Sequence, residues 1–395
     1  MEVYFDNAAT TPMSRAALDA MIPALEEQYG NASSLHTVGQ LAKEQLEQAR
    51  ADIAECIGAE PHEIIFTSGG SEADNQALVS IARWGAKRDK RHIISSAFEH
   101  HAVLHTLQKL EKEGFEVTYL DVHPEGMVYP EQVEAAIRPD TCLVSIMYAN
   151  NEIGSIQPIS EIGAICREKK VFFHTDAVQA VGHLDINVKE QNIDLLSLSG
   201  HKFHGPKGVG CLYARRGIIL SNIIEGGAQE RGKRAGTENI PAILGMAAAL
   251  KDILSRREEN EKKETAMRDR LIEGLSQIPH SKLNGHPTKR LPGNVHFCFE
   301  GIEGESLLLM LDLNGVAASS GSACTSGSLD PSHVLLAIGL PHSVAHGSLR
   351  LTLSEYNTME EVEYVIGILP GIVEYLRDMS PVWESLEKGE TEHVI

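Results

Sequence analysis

Apolar runs and amphipathic stretches alternate along the chain from about residue 60 to about residue 215. Seven short runs are apolar: EIIFTS, RHIISSA, FEVTYLD, TCLVSIMYA, KVFFHTD, IDLLSLS and GVGCLYA. Helical patterns such as EADNQALVSIARWGAKR and SEIGAICREKK lie between most of them. This alternation predicts an α/β fold with a mainly parallel, seven-stranded sheet wrapped by helices. The runs do not alternate strictly between apolar and polar residues, as expected of strands covered on both faces.

The pattern changes after Gly236, where the chain enters a long helical stretch. This stretch runs from NIPAILGMAAALKDILSRR into the charge-dense EENEKKETAMRDRLIEGLSQI, which we interpret as a solvated helix face. Two strand-like segments follow, GNVHFCFEG and GSLRLTLS, and a final helix is predicted from Met359. We therefore expect a large α/β domain over residues 13–257 and a small α+β domain made of residues 1–12 and 258–395.

Composition narrows the class of protein. A chain of 395 residues is long enough for two domains, and its 42% hydrophobic and 5% aromatic content is that of a globular protein. A net charge of −20 argues against nucleic acid as the main partner, because phosphate binding needs a basic face. The opening MEVYFDNAATTP lacks the features of a signal peptide, and no stretch approaches the roughly 20 apolar residues of a membrane span. We expect a cytoplasmic enzyme with no membrane and no nucleic-acid partner.

The six cysteines include no CxxC pair and no zinc-like spacing, so we expect no metal site. Five of them lie on helical or strand-like segments and are predicted to be small buried hydrophobes. These five are Cys56, Cys142, Cys166, Cys211 and Cys298. Cys324 is not expected to be buried in this way, because it lies in ASSGSACTSGS, a run of very small, mostly polar residues without the apolar side chains of a core.

Four polar loops follow predicted strands, and the carboxyl ends of strands are where ligands bind in an open α/β sheet. In the first loop, TSGGSEADN at residues 67–75, a strand runs through Ser-Gly-Gly-Ser directly into a helix. The glycines would let backbone N–H groups approach an anion at the helix N-terminus. A phosphate cradle and an ordinary turn capped by Ser71 or Asp74 are equally compatible with this stretch alone.

The second loop carries His100 and His101 in SSAFEHHAV. Such a pair is often part of a solvated turn, but one ring could stack on a flat ligand or move protons.

The third loop begins at Asp176, which ends the very apolar FFHTD, where an unpaired carboxylate is costly. A structural salt bridge is the simpler interpretation. The alternative is an ion pair with a protonated pyridine-like nitrogen. Opposite charges about 4 Å apart attract by roughly 4 kcal/mol at an effective dielectric of 20. This energy corresponds to about three pKa units, enough to keep the proton on such a nitrogen near neutral pH.

The fourth loop, SLSGHKFHGPKGVG, contains two lysines. Lys202 follows the apolar DLLSLS, so burial at the mouth of the sheet would lower the pKa of its amine and make it a nucleophile towards carbonyls. Lys207 lies between Pro206 and Gly208 and is interpreted as a loop charge. A Schiff-base amine, a carboxylate for a ring nitrogen, a phosphate cradle and a stacking histidine together indicate pyridoxal 5'-phosphate binding.

These loops belong to a longer series of motifs that resembles the cysteine desulfurases of the NifS/IscS type. The series covers nearly the whole chain: YFDNAATTP, GNASSLH, FTSGGSEADN, EHHAV, NNEIGSIQP, HTDAVQA, SGHKFHGPKGVG, ERGKRAGTEN, EGES, SSGSACTSG, SLRLTLS and SPVWE. The resemblance implies the aspartate-aminotransferase-like, fold-type I arrangement working as a homodimer. It also implies that the small domain carries a loop with the catalytic cysteine.

The resemblance implies three catalytic residues. Lys202 would bind the cofactor as a Schiff base and move the Cα proton of L-cysteine, and His100 would stack on the ring and serve in acid–base steps. Cys324 would attack the substrate sulfur, keep it as a persulfide and allow L-alanine to leave. The persulfide sulfur would pass to an acceptor or scaffold protein for iron–sulfur cluster assembly or another sulfur pathway.

The resemblance also implies the binding residues. Asp176 would pair with the pyridine nitrogen and Gln179 with the ring hydroxyl, while Asn151 would orient the cofactor and the substrate. Arg350 would clamp the substrate carboxylate, a task suited to guanidinium. The phosphate would be held by Gly70, Ser71, Ser199, His201 and, from the other subunit, Thr237.

The chain departs from the family pattern at two positions. Glu355 stands in TLSEYNT where the family usually carries arginine, and an acid close to Arg350 would weaken substrate binding or alter the loop. Ser71 replaces the more usual threonine but keeps the hydroxyl, so its role should be kept.

Two other functions compete with cysteine desulfuration. One is a different reaction of the same cofactor, such as transamination or selenocysteine lysis, although transamination has no need for the thiol of Cys324. The other is a non-catalytic sulfur-trafficking or scaffold role, for which Glu355 is the only sequence feature.

The acidic end, SPVWESLEKGETEHVI, is predicted to dock an acceptor protein around Trp383, while its last residues are interpreted as a frayed tail.

Overall fold

The computed structural model describes residues 1–321, 331–389 and 392–395. The helices are α1 (Arg15–Glu26), α2 (Thr37–Cys56), α3 (Gly70–Ala86), α4 (His101–Lys112), α5 (Pro130–Ala136), α6 (Ile159–Lys169), α7 (Gln229–Gly232), α8 (Ile240–Ser255), α9 (Arg257–Leu275), α10 (Gly304–Leu313), α11 (His333–Ala337), α12 (His342–Ala345), α13 (Met359–Asp378) and α14 (Pro381–Glu387). The strands are β1 (Val3–Tyr4), β2 (Ile64–Thr67), β3 (His92–Ser96), β4 (Glu116–Leu120), β5 (Thr141–Ser145), β6 (Phe172–Asp176), β7 (Leu195–Ser199), β8 (Gly210–Ala214), β9 (Ser281–Leu283), β10 (Asn294–Phe299), β11 (Val316–Ala317) and β12 (Ser348–Thr352).

Seven strands form the central sheet in the order β2-β8-β7-β6-β5-β3-β4. Each of them lies in one of the seven apolar runs, so the prediction of a mainly parallel seven-stranded sheet is confirmed. Strand β8 is the exception, because it runs antiparallel to both β2 and β7. Along β4, at the sheet edge, only Leu120 is buried, whereas the inner strands are almost wholly buried. This coverage on both faces explains why the apolar runs do not alternate.

Adjacent residues of the inner strands point into different apolar cores. Ile94 of β3 and Val144 of β5 belong to one core, while Ile93 and Leu143 belong to the core under α3 and α4. The antiparallel sheet β12-β10-β9 borders a third core, which also includes Val3 of β1. Strand β1 pairs with β11, so the first residues of the chain lie with its C-terminal part. The proposed domain boundaries stay a prediction.

The long helical stretch after Gly236 consists of two helices. Helix α8 begins after Asn239, whose side chain accepts the N–H of Ala242. It ends before Arg256, whose backbone is not helical (φ −118°, ψ 9°), and α9 starts at the next residue. The helix predicted from Met359 is α13, and the short helix α14 follows it. Of the helices in the described ranges, none combines the length and the apolar character needed to cross a membrane.

A buried ion pair joins α2 to α7. The Nη1 and Nη2 atoms of Arg50 each donate to one oxygen of Glu230 at 2.7 Å, and the two side chains are only 3% and 2% exposed. Glu230 also accepts the N–H of Phe66 on β2 at 2.9 Å. Both Glu230 and Arg231 have positive φ angles, 48° and 58°, so this pair holds an otherwise unfavourable turn against the sheet.

We expect Glu230→Gln to destabilise the protein by about 3 kcal/mol, because it leaves the buried Arg50 guanidinium with only the exposed Glu47 as a countercharge. Urea unfolding monitored by circular dichroism measures this change. Arg138→Gln is the matched control, since Arg138 pairs with Glu116 and Asp140 at the surface and should contribute far less. Equal losses of stability in the two variants would contradict the prediction.

Candidate active site

The predicted site residues lie at the carboxyl ends of neighbouring strands. Asp176 is the last residue of β6, and Lys202 ends the short turn Gly200–Lys202 that follows β7. His100 is the N-cap of α4, and its Nδ1 accepts the N–H of Ala102 at 3.1 Å. Ligand-type atoms of Asp74, His100 and Asp176 all lie within 4.8 Å of one another. The fold therefore brings the predicted ring-stacking histidine and the predicted ring-nitrogen partner together.

The amine of Lys202 lies against the N-terminal segment of the chain. Its Nζ donates to the backbone carbonyl of Ala8 and, at 3.0 Å, to that of Ala9. The side-chain amide of Gln179 donates to the same Ala8 carbonyl at 3.0 Å. The predicted Schiff-base lysine and the predicted partner of the ring hydroxyl thus meet at one backbone oxygen.

Buried carboxylates surround the end of β6. Burial raises the pKa of Asp176, while the nearby His100 and Lys202 act in the opposite direction. Burial, assisted by Asp176, also raises the pKa of Asp74. Nε2 of His174 lies 3.6 Å from Oδ1 of Asp74, but burial lowers the pKa of His174 to about 3, so this ring is neutral and offers no positive charge there. The site therefore favours a cationic ligand atom close to Asp176.

Four of the predicted phosphate residues line one open pocket of ≈ 470 Å³. They are Gly70, Ser71, Ser199 and His201. The pocket lies at the N-terminus of the 17-residue helix α3, where backbone N–H groups and the helix dipole favour an anion. A Cβ added to Gly69 would lie in this lining, 3.8 Å from Ser199 Oγ. Hydroxyls, an imidazole and bare backbone are the donors that a phosphate monoester requires, so the residues fit the predicted cofactor.

The pocket also contains residues that the sequence analysis missed. Thr10, whose Oγ1 lies 3.2 Å from His201 Nδ1, and Lys207 both line it. Lys207 was interpreted as a loop charge, but it faces the same pocket as Ser71 and so contributes positive charge there. The position of Lys207 a few residues beyond Lys202 is the only sequence signal for this placement, and no local pattern places Thr10 here.

Arg350 is buried on β12, with its side chain 2% exposed. Its Nη2 donates to Asp6 at 2.9 Å and its Nη1 to the backbone carbonyl of Asn151 at 3.1 Å. Its Nε is buried and makes no hydrogen bond to any described residue. The predicted carboxylate clamp therefore lies beside Asn151 and keeps one N–H available for an additional acceptor.

Glu355 is not the acid that faces Arg350. Its Oε2 lies 3.1 Å from Nε2 of the buried His204, and Asp6 occupies the place beside Arg350 instead. Burial would raise the pKa of Glu355, but the hydrogen bond and the charge of His204 lower it. Nδ1 of His204 in turn donates to the carbonyl of Pro12 at 2.8 Å. Glu355 thus pairs with His204 rather than with Arg350, and its effect on substrate binding stays a prediction.

Two predicted site residues, Thr237 and Cys324, are not found at this site among the described residues. Thr237 is exposed and is not part of the pocket lining, and its role through a second subunit stays a prediction. Cys324 lies outside the described residues. The other five cysteines occupy the predicted helices and strands, where all are buried except Cys56, which is half-buried.

A further buried carboxyl lies between β3 and α4. Glu99 accepts hydrogen bonds from the Ser96 hydroxyl and from the N–H of Met147, and burial raises its pKa to about 8. The unfolded chain loses this proton near pH 4.5, so between about pH 5 and pH 8 the folded state holds more protons than the unfolded state. Stability should therefore fall as the pH rises through this range.

We expect Glu99→Gln to remove on the order of 3 kcal/mol of this pH dependence, because an amide keeps both acceptor bonds and does not ionise. Urea unfolding of the ligand-free protein at several pH values between 5 and 8 measures the slope. Glu116→Gln is the control, since its hydrogen bond to Arg138 lowers the pKa of Glu116 below this window. An unchanged slope in Glu99→Gln would contradict the assignment.

Comparison with known proteins agrees with this geometry. The model of the aminotransferase class-V family matches residues 3–365. The chain is 56% identical over 381 residues to the cysteine desulfurase IscS of Methanosarcina thermophila, covering 96% of this chain and 94% of that protein. It is 53% identical over 394 residues to the cysteine desulfurase IscS of Clostridium botulinum, covering 99% of both chains.

Solved structures show the same similarity in three dimensions. A NifS-like protein superimposes with a TM-score of 0.90 at 38% identity, covering 95% of this chain and all of that one. SspA in complex with cysteine gives a TM-score of 0.80, also at 38% identity, over 90% of this chain. Taken with the α/β sheet and the residues gathered at its carboxyl edge, these similarities show that the chain belongs to the class-V aminotransferase family, among the cysteine desulfurases of the NifS/IscS type.

Proposed function

We propose that the protein converts L-cysteine to L-alanine with the help of pyridoxal 5'-phosphate and retains the sulfur as a persulfide on Cys324. The observation that carries this proposal is the convergence of Lys202, Asp176 and the pocket around Ser71 at one edge of the sheet. Within the family, this arrangement provides an amine for an aldehyde, an acid for a ring nitrogen and donors for a phosphate.

The pocket residues would fix the cofactor by its two ends. Ser71, Ser199 and His201 would hold its phosphate, assisted by the N-terminus of α3 and by Lys207. Asp176 would keep a proton on the ring nitrogen, because a cation at that atom offsets the cost of burying the carboxylate. When bound, the cofactor withdraws electrons from the substrate Cα and so makes the carbon–sulfur bond breakable.

Lys202 would bind the aldehyde and afterwards take the proton from the substrate Cα. The carbonyls of Ala8 and Ala9 now accept its hydrogens, so these two groups hold the amine at the end of β7. His100 would cover the ring from the N-terminus of α4. Both side chains are attached to backbone at strand or helix ends, which keeps the reacting groups in a defined geometry.

Arg350 and Asn151 would bind the amino acid. The Nε of Arg350, for which no described residue is an acceptor, can donate to the substrate carboxylate while its Nη2 remains paired with Asp6. That pairing holds the guanidinium plane in place, so little side-chain entropy is lost when the substrate binds.

Cys324 would accept the sulfur. Its thiolate forms a bond to the substrate sulfur as the carbon–sulfur bond breaks, and the substrate carbon gains a proton to become alanine. L-cysteine and one enzyme thiol thus give L-alanine and one enzyme persulfide, and the atoms balance. A free thiol is only a few per cent ionised at neutral pH, so a base such as His100 would have to take its proton.

We also propose that the protein acts as a homodimer that passes sulfur to an acceptor protein. The N-terminal helices and the segment between them expose a series of large apolar side chains that a second copy would cover. These side chains include Leu18, Ile22, Leu25, Tyr29, Leu35 and Leu41. A cytoplasmic location and a role in iron–sulfur cluster assembly remain expectations of the same proposal.

Cys324→Ser should keep its yellow cofactor and lose persulfide formation, because only the acceptor atom changes. Mass spectrometry after brief exposure to L-cysteine should find one added sulfur on Cys324 in the original protein and none in the variant. Cys298→Ser is the control, since Cys298 is buried on β10 and should leave the persulfide unchanged. Unchanged turnover of every amino acid in Cys324→Ser would favour transamination or another reaction of the cofactor.

Arg350→Lys should lower kcat/KM for L-cysteine by about tenfold or more, because an ammonium group cannot keep Asp6 and bind a carboxylate with a second, fixed N–H. Steady-state alanine formation measures this loss, and the cofactor spectrum reports whether the site is intact. Arg256→Lys provides the control, because Arg256 pairs with Asp252 and Glu355 rather than with Asp6. Equal kcat/KM in Arg350→Lys and the original protein would exclude Arg350 as the clamp.

A further inference from the structure

Three side chains that are distant in the sequence meet beside the sheet β12-β10-β9. His280 precedes β9, Glu300 follows β10, and His393 belongs to the last described segment, residues 392–395. One ligand-type atom from each of the three lies within 4.8 Å of the other two. None of them takes part in the proposed reaction.

The spacing of these atoms is that of a metal site. Glu300 Oε2 lies 2.8 Å from Nδ1 of His393 and 3.6 Å from Nδ1 of His280. Ligands arranged tetrahedrally at the usual zinc distances of about 2.0–2.1 Å are about 3.3–3.4 Å apart, which falls between the two observed values. Both Nδ1 atoms now donate hydrogen bonds, His393 to Glu300 and His280 to the carbonyl of Ile395, so an ion would replace these two protons and the ring of His393 would have to turn.

The surrounding residues hold the cluster in shape. Arg377 donates from Nε to the carbonyl of Glu300 and from Nη2 to the carbonyl of His280, both at 3.0 Å. The other oxygen of Glu300 accepts the N–H of Val394 at 2.8 Å. Such outer contacts orient metal-ligating side chains.

The two imidazoles lie face to face beside the carboxylate of Glu300, so the half-exposed His393 side chain would have to turn to bring both ring planes onto one ion. Their rings stack with centroids 3.9 Å apart, and each ring makes an edge contact with Trp383, at 5.4 Å for His280 and 5.6 Å for His393. His280 has a left-handed backbone (φ 51°), a conformation that a non-glycine residue keeps only where the surroundings hold it.

We propose that His280, Glu300 and His393 bind a first-row transition-metal dication of the Zn²⁺ type. Two imidazole nitrogens and one carboxylate oxygen suit Zn²⁺ and its neighbours, whereas Mg²⁺ and Ca²⁺ prefer oxygen ligands alone. The backbone carbonyl of Ile395, 2.9 Å from His280 Nδ1, is close enough to supply a fourth ligand or to leave that position to water. The sequence analysis, which considered only cysteine spacing, expected no metal.

The bound ion would tie residues 392–395 to the small antiparallel sheet. It would do so directly beside Trp383, where an acceptor protein is predicted to dock. Metal binding would then strengthen a cover of this surface by the chain's own last residues, which hydrogen bonds to Glu300 and His280 already form. The inference rests on this cluster alone and is independent of the proposed reaction.

Zn²⁺ titration of the full-length protein with its cofactor tests the proposal. Calorimetry, with metal analysis after dialysis, should show one equivalent of Zn²⁺ that is lost, or bound at least tenfold more weakly, in His393→Gln and in His280→Gln. His342→Gln replaces an exposed histidine of α12 and should bind like the original protein. Any Zn²⁺ held by thiols such as Cys324 is common to all four proteins and cancels in the comparison.

His393 lies outside every described helix and strand, so its substitution should not disturb the fold, and an unchanged cofactor spectrum and thermal transition would verify this. Zn²⁺ should also raise the thermal transition of the original protein and of His342→Gln but not that of His393→Gln. Identical Zn²⁺ stoichiometry and affinity in the original protein and His393→Gln would overturn the proposal. The cluster would then be only a hydrogen-bonded contact of the last residues.

Discussion

The position of one amine organises this structure. Lys202 emerges from the sheet at the end of β7 and donates hydrogen bonds to the carbonyls of Ala8 and Ala9. Those carbonyls belong to the segment that follows β1, and β1 pairs with β11 of the C-terminal part. The lysine therefore connects the carboxyl edge of the large sheet to a segment that is held by the other core. A reactive amine at this junction is partly screened from water and close to both parts of the molecule.

Burial, rather than pairing at the surface, sets the ionisation of the carboxyl groups around that amine. The pKa values of Asp74 and Asp176 are raised by desolvation, so these carboxyls gain most from a positive ligand atom. Arg350 provides the opposite case, because it already has Asp6 as a partner, while its Nε makes no hydrogen bond to the described part of the chain. One end of the site thus strongly favours a positive charge, and the other end attracts a carboxylate more weakly. These are the two demands that an amino acid bound to a pyridine-like cofactor makes.

Much of the fold followed from local pattern. All seven strands of the main sheet appear where short apolar runs were found, and Asp176 and Lys202 end their strands as expected. The break at Arg256 between α8 and α9 was missed, because both sides of it have helical periodicity. Glu355 was wrongly expected beside Arg350, since closeness in sequence was taken for closeness in space. The chain instead carries Glu355 to His204, 151 positions earlier, while Asp6 comes to Arg350 from 344 positions away.

The sequence by itself therefore determined which segments become the strands of the main sheet and which reactive side chains stand at their ends. Those properties depend on the periodicity of neighbouring residues and on residue chemistry, both of which are written locally. Only the tertiary structure decided that the carbonyls of Ala8 and Ala9 meet Lys202, that Lys207 faces the phosphate pocket, and that His280, Glu300 and His393 meet. Such contacts depend on how separate elements pack, and no spacing along the chain encodes the distances between them.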